Sequence, residues 1–293
     1  MNSNLKDAGK KQSSSLLKKN LRKFMNNKLA VIGLAFVLLI VIACVGAPLL
    51  TEYDPSALNL PDKSMAPCKE HIFGTDKLGR DVFARILYGG RISILVGLSG
   101  AICGSLIGTI LGGLAGYLGG WVDSICVRMS EIFQTFPQMI LILLLVSIIG
   151  QGTGNLILVF CLTGWMTTFR MVRNEFLALR EETYVKVCEA FGMSKANIAF
   201  KQILPNVLSP VIVATTVNVA GFILSEAGLS FLGVGVPSSV PTWGNILNAA
   251  KSVEVVSNYW WLWAIPGATI SIFVLAINFF GDGLRDVLDA KQQ

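Results

Sequence analysis

Apolar runs long enough to cross a bilayer as helix, which takes about 20 residues, recur along the chain between short polar stretches. They fall at 29–50, 92–117, 132–150, 155–171, 207–224 and 262–280. The first is broken only near Pro48, and the third is interrupted at its start by Gln134, Pro137 and Gln138. The pattern predicts an all-α integral membrane protein with about six transmembrane helices.

Composition agrees. Of 293 residues, 53% are hydrophobic and only 14% charged, with mean hydropathy +0.63. A soluble domain carries roughly 25% charged residues, so this chain lacks the charge to cover a water-facing surface. The net charge of +6 is unevenly placed. If the N-terminus is inside, 17 of the 24 Lys and Arg fall on the inner side, eight of them before Leu29. Positive residues favour the cytoplasmic side, which predicts N-in and C-in. The first outer loop holds six basic residues but also Glu52, Asp54, Asp62, Glu70, Asp76 and Asp81. The expected organisation is a cytoplasmic basic tail (1–28), a first span (29–50), an extracytoplasmic loop (51–91) and a permease-like region (92–293) holding spans two to six. That region includes a cytoplasmic loop at 172–206. No aromatic and basic groove lies between the spans, so nucleic acid is not an expected partner; membrane lipid is. The first run is too long for a cleavable signal segment, although Val41-Ile42-Ala43-Cys44 looks like a lipoprotein box. The six cysteines form no CxxC and read as small packing residues.

Two local patterns stand out. Gly100, Gly104, Gly108, Gly112 and Gly116 recur every four residues on the second span. Such a stripe lets helix backbones approach closely in lipid, either at a subunit interface or pore wall or within the chain's own bundle. The loop at 172–206 does not read as a linker. Leu177, Tyr184, Cys188 and Phe191 share helical spacing, with Glu181, Glu182, Lys186 and Glu189 between them. Gly192 ends the pattern and Ser194 is placed to cap a second helix. Periodicity alone fits a helix lying on the membrane surface.

The residues of the loop carry a resemblance. Tyr184, Val185, Lys186, Val187, Cys188, Glu189, Ala190, Phe191, Gly192, Met193 and Ser194, followed by Ile203-Leu204-Pro205-Asn206, resemble the EAA loop of ABC-importer permeases. Gly192 and Leu204-Pro205 keep the family spacing, while Lys186, Val187 and Cys188 stand where the family has Glu-Ala-Ala. His71-Ile72-Phe73-Gly74-Thr75-Asp76 with Gly79-Arg80-Asp81-Val82 resembles the first outer loop of the dipeptide/oligopeptide/nickel permease group. Leu29 to Gly33 resembles the start of its C-type subunit. Leu229 to Gly233 and Pro241 to Gly244 look like its last outer loop.

The resemblance implies a type I importer architecture in a bacterial cytoplasmic membrane. A second, homologous permease would complete the pathway. Two ATP-binding subunits would hold ATP and Mg, and an extracytoplasmic binding protein would deliver substrate. It also implies that Tyr184, Val185, Lys186, Ala190, Phe191, Gly192, Met193, Ser194, Leu204 and Pro205 couple the chain to the ATPases. Gly192 would supply the turn, and Tyr184, Ala190, Phe191 and Met193 the docking face.

Catalytic chemistry is not legible. The chain has no Gly-x-x-x-x-Gly-Lys-Ser/Thr and no Ser/His/Asp set, so no catalytic residue, metal site or cofactor is expected here. Cys68 and His71 are two isolated ligand types. Glu226 is the one acid in an apolar setting, either a proton or substrate site or a boundary residue paired with a donor. Peptide is the expected substrate, with nickel or another small solute as the alternative. A self-contained secondary transporter or a membrane-embedded enzyme would need features this sequence does not display.

Overall fold

The length of a helix decides what it can span, and the second run illustrates this. In the computed structural model, which describes residues 21–289, helix α1 covers Lys28–Val45 and α2 covers Val82–Leu118. At 1.5 Å per residue, the 37 residues of α2 reach roughly 55 Å, well beyond a hydrocarbon core of about 30 Å. Its first turns therefore lie outside the span, and α2 begins ten residues before the 92 expected from hydropathy. Arg85 and Arg91 hid those turns. Arg85 is buried and donates to the Pro55 carbonyl at 3.0 Å, while Arg91 donates to the Cys44 and Val45 carbonyls at the end of α1, both at 2.6 Å. Helix ends leave such carbonyls without partners, and Arg91 supplies them. The basic tail expected at 1–28 lies largely outside the described residues.

The third run is not one straight span. Helices α3 (Gly120–Gln134) and α4 (Gln138–Ile149) meet at an 88° bend. Pro137 sits between them and disfavours helix at the residue before it. Helices α5 (Thr153–Thr163) and α6 (Trp165–Arg180) form one span across Gly164. The short α7 (Thr183–Ala190) follows. A helical segment then runs from Lys195 into α8 (Leu204–Leu232). The short α9 (Trp243–Leu247) precedes α10 (Trp261–Asp289). Among the described residues, five helices are long and apolar enough to cross a membrane, or six if the bent pair counts as one.

Helix α2 is the central post, with α1, α5, α6 and α8 packed against it; α10 packs on α1 and α8. The outside of the bundle is apolar, with Leu39, Ile42, Leu106 and Leu275 exposed. Two loop regions share one end. Lys77 pairs with Glu254 at 2.8 Å, and the Trp261 indole donates to the Thr75 carbonyl at 3.2 Å. The turn between α7 and α8 is at the opposite end.

Candidate functional site

The hairpin around Gly192 is built by a few local choices. Helix α6 stops at Arg180, so Leu177 belongs to a different helix from Tyr184, and the single four-residue face expected from spacing is broken at Glu181 and Glu182. Helix α7 ends with the Gly192 N–H donating to the Glu189 carbonyl at 2.9 Å and the Met193 N–H to Cys188 at 3.1 Å. Gly192 takes φ +76°, a conformation glycine adopts without a steric penalty. The Ser194 hydroxyl accepts from the Asn197 N–H at 3.4 Å and caps the helix that follows. A π-helical turn at Ala199–Ile203 then leads into α8. Pro205, which lacks an N–H, therefore lies inside a nearly continuous helical run.

The hairpin has an anchored side and a bare side. Val185 is fully buried in a cluster with Phe176, Ile198, Ile203 and Val207, and Leu204 packs on its edge. Phe191 is 87% exposed, and Tyr184, Met193, Ala190, Lys186, Ser194 and Pro205 are exposed too. The Tyr184 hydroxyl accepts from Asn206 at 3.4 Å. Lys186 Nζ is 3.2 Å from Glu181, and its hydrogen bond and charge hold the Glu181 carboxyl below the usual carboxylate range.

The glycine stripe is used inside the chain. A Cβ at Gly100 would sit 2.7 Å from the Phe160 Cβ, and at Gly104 2.8 Å from the Gly164 carbonyl carbon. At Gly108 it would sit 2.5 Å from the Trp165 carbonyl oxygen, at Gly112 2.7 Å from that of Phe169, and at Gly116 2.6 Å from the Phe176 Cβ. The stripe thus seats α5 and α6 against α2 at backbone contact.

At the loop end, Glu226 is fully buried. Its carboxylate accepts from Ser93 at 2.8 Å and from Ser230 at 2.7 Å, and Ser93 in turn accepts from the Trp243 N–H at 3.2 Å. Glu226 is therefore paired with donors, and it ties α2, α8 and α9 together. His71 is buried as well. Its Nδ1 lies 2.8 Å from Asp81, whose other oxygen accepts from the Ala84 N–H at 2.6 Å and caps α2. The Cys68 Sγ accepts from the His71 backbone N–H at 3.3 Å, and the Cys68 N–H donates to the His71 carbonyl at 2.9 Å, so both contacts run through the backbone of His71 and not its ring. Among the described residues no group of three or more His, Cys, Asp or Glu could hold a metal ion.

Comparison with known proteins decides the family. Residues 108–293 match the family described as binding-protein-dependent transport system inner membrane component. The chain belongs to that family. Residues 15–67 match the N-terminal TM domain of oligopeptide transport permease C. The permease is 41% identical to the oligopeptide transport system permease protein OppC of Escherichia coli, over 93% of this chain and 90% of that protein. It is 38% identical to OppC of Bacillus subtilis (96% and 92%) and 38% identical to the dipeptide transport system permease protein DppC of the same organism (97% and 89%).

The permease is thus a multi-pass inner-membrane subunit of an ABC importer. It is not itself catalytic, and it works with ATPases and a binding protein. One region escapes a reading from pattern. Gln134 and Gln138 register only as interruptions of a span, and nothing in the pattern singles out Asn218; all three line one cavity beside the bend.

Proposed function

We propose that this permease forms, with a second homologous permease, the pathway of a di- or oligopeptide importer, and that its Gly192 hairpin docks on one of two ATP-binding subunits. The observation that supports the docking role is the contrast across one short element. Val185 is fixed in the bundle while Phe191, at the tip, is bare. Aromatic residues, Phe included, are enriched at the cores of protein interfaces. Because α7 and the helix after it share one buried cluster with α6 and α8, a push on the hairpin would reach two spans. The expected orientation, with the hairpin in the cytoplasm, follows from the basic residues at that end. The names of the relatives, oligopeptide and dipeptide permeases, favour peptide over nickel or another small solute.

The test is site-directed cross-linking. Phe191→Cys, in a chain without native cysteines and assembled with its partner subunits, should cross-link to an ATPase carrying a cysteine in its facing cleft. Absence of a cross-link from Phe191, with efficient linking from another cytoplasmic position, would overturn the docking role.

A further inference from the structure

The bend between α3 and α4 faces a cavity of about 500 Å³, within the range that holds small ligands. Its walls are the bend, the α5–α6 junction at the middle of the fourth span, and the outer half of α8. For a site among membrane helices its lining is polar. Gln134, Gln138, Thr167, Asn218 and Ser225 contribute amides and hydroxyls, with no charged side chain. The Asn218 amide nitrogen is buried and has no hydrogen-bond partner among the described residues, an arrangement that costs free energy unless something supplies an acceptor. Irregular backbone among spans is tolerated where it lines a polar cavity, and the bend supplies such backbone at Thr135 to Pro137. The floor is apolar, with Phe222 stacked on Phe160 at 4.7 Å. The mouth is open, since Gln134, Gln138, Thr167 and Gly221 are exposed, as half of a pathway shared with a second chain must be.

We infer that this cavity is a passage site for substrate that reads the peptide backbone. The inference rests on the peptide-permease reading above. Neutral amides and hydroxyls both donate and accept. They pair with the N–H and C=O groups that every peptide carries, and they make no charged contact that would select one side chain. Asn218 lines the cavity, and a turn of its side chain would bring the unpartnered amide nitrogen to a passing peptide carbonyl. A bare metal cation would find only weak neutral oxygens here and no thiolate, imidazole or carboxylate.

The experiment uses the complete complex, with second permease, ATPases and binding protein, in proteoliposomes. The probes are labelled dialanine and trialanine. Gly221→Leu is the first variant: nothing lies within 4 Å of a Cβ there, so it fills the cavity without disturbing the bundle. Asn218→Leu removes the unpartnered amide. Each should lower peptide uptake by roughly tenfold, as loss of a built hydrogen-bonding site does. ATP hydrolysis stimulated by the binding protein should persist. Ser147→Ala, on α4 away from the cavity and bonded to Leu143, should transport normally. In a chain without native cysteines, Thr167→Cys should react with a small thiol reagent more slowly when dialanine is present during turnover. Normal uptake by both Gly221→Leu and Asn218→Leu overturns the cavity assignment and leaves the importer reading standing. Failure of the unaltered complex to take up either peptide, while it takes up nickel, overturns the peptide reading and this assignment with it.

Discussion

Ser93 on α2 donates to the fully buried carboxylate of Glu226 on α8 at 2.8 Å, and the same hydroxyl accepts the Trp243 N–H that starts α9. One side chain thus joins three elements. Glu226→Ala should leave the Ser93 and Ser230 hydroxyls without their acceptor, at about 1–3 kcal/mol for each buried group stranded. Glu226→Gln keeps an acceptor oxygen and should be milder. Thermal melts of the purified permease in detergent check the order; equal melting points for the two variants would count against it.

Gly108 is where α2 meets backbone rather than side chain. Its Cβ would lie 2.5 Å from the Trp165 carbonyl oxygen and 2.8 Å from the Phe169 nitrogen. Neither atom can swing away, so Gly108→Val should cost about 1–3 kcal/mol or more. Gly154, with nothing within 4 Å, should accept alanine without loss. Yield and melting temperature of the two variants are the measurement.

Gly192 lies at φ +76° with open space around it. A valine there meets no neighbour, so the penalty is backbone strain alone, on the order of 1–3 kcal/mol. The bundle should still fold, with its melting temperature lowered by no more than several degrees. Transport in proteoliposomes should fall, with ATP hydrolysis uncoupled or the ATPases lost on co-purification. Lys186→Ala removes an exposed pair with Glu181 and should transport nearly normally. A Gly192→Val complex that transports at the normal rate would return this hairpin to a passive surface role.

Orientation can be read directly. Ser56 and Ser194 are both exposed, at opposite ends of the bundle. In a chain without native cysteines, Ser56→Cys should react with an impermeant thiol reagent added outside whole cells, and Ser194→Cys only after the membrane is opened. The reverse labelling would invert the topology.

Spans are legible because twenty apolar residues have few other uses. What hydropathy misses is where polarity is shielded locally. The first turns of α2 read as loop because Arg85 and Arg91 are charged, yet folding gives both carbonyl partners. The spacing of the glycine stripe is plain in sequence, whereas its partner is not, since Gly164 and Phe160 meet it only in three dimensions. Gly192 is legible because its conformation is local. The face of α7 is not. Val185, flanked by Tyr184 and Lys186, is the buried residue because of where Ile198 and Ile203 return. Pro137 announces a break, but not the 88° angle at which the two helices meet.

The first and last spans are clasped to one another. A Cβ on Gly33 would press 2.6 Å from the Ala276 carbonyl oxygen, one on Gly283 would strike Ala30, and Asn27 donates to Asp286 at 2.9 Å. Ribosomes deliver α1 first and α10 last. The small-residue groove on α1 must therefore wait, uncovered in the lipid, through the synthesis of nearly the whole polypeptide. Until the final helix leaves the insertion channel, that groove is open to any helix that passes, and fidelity of biogenesis depends on holding it vacant.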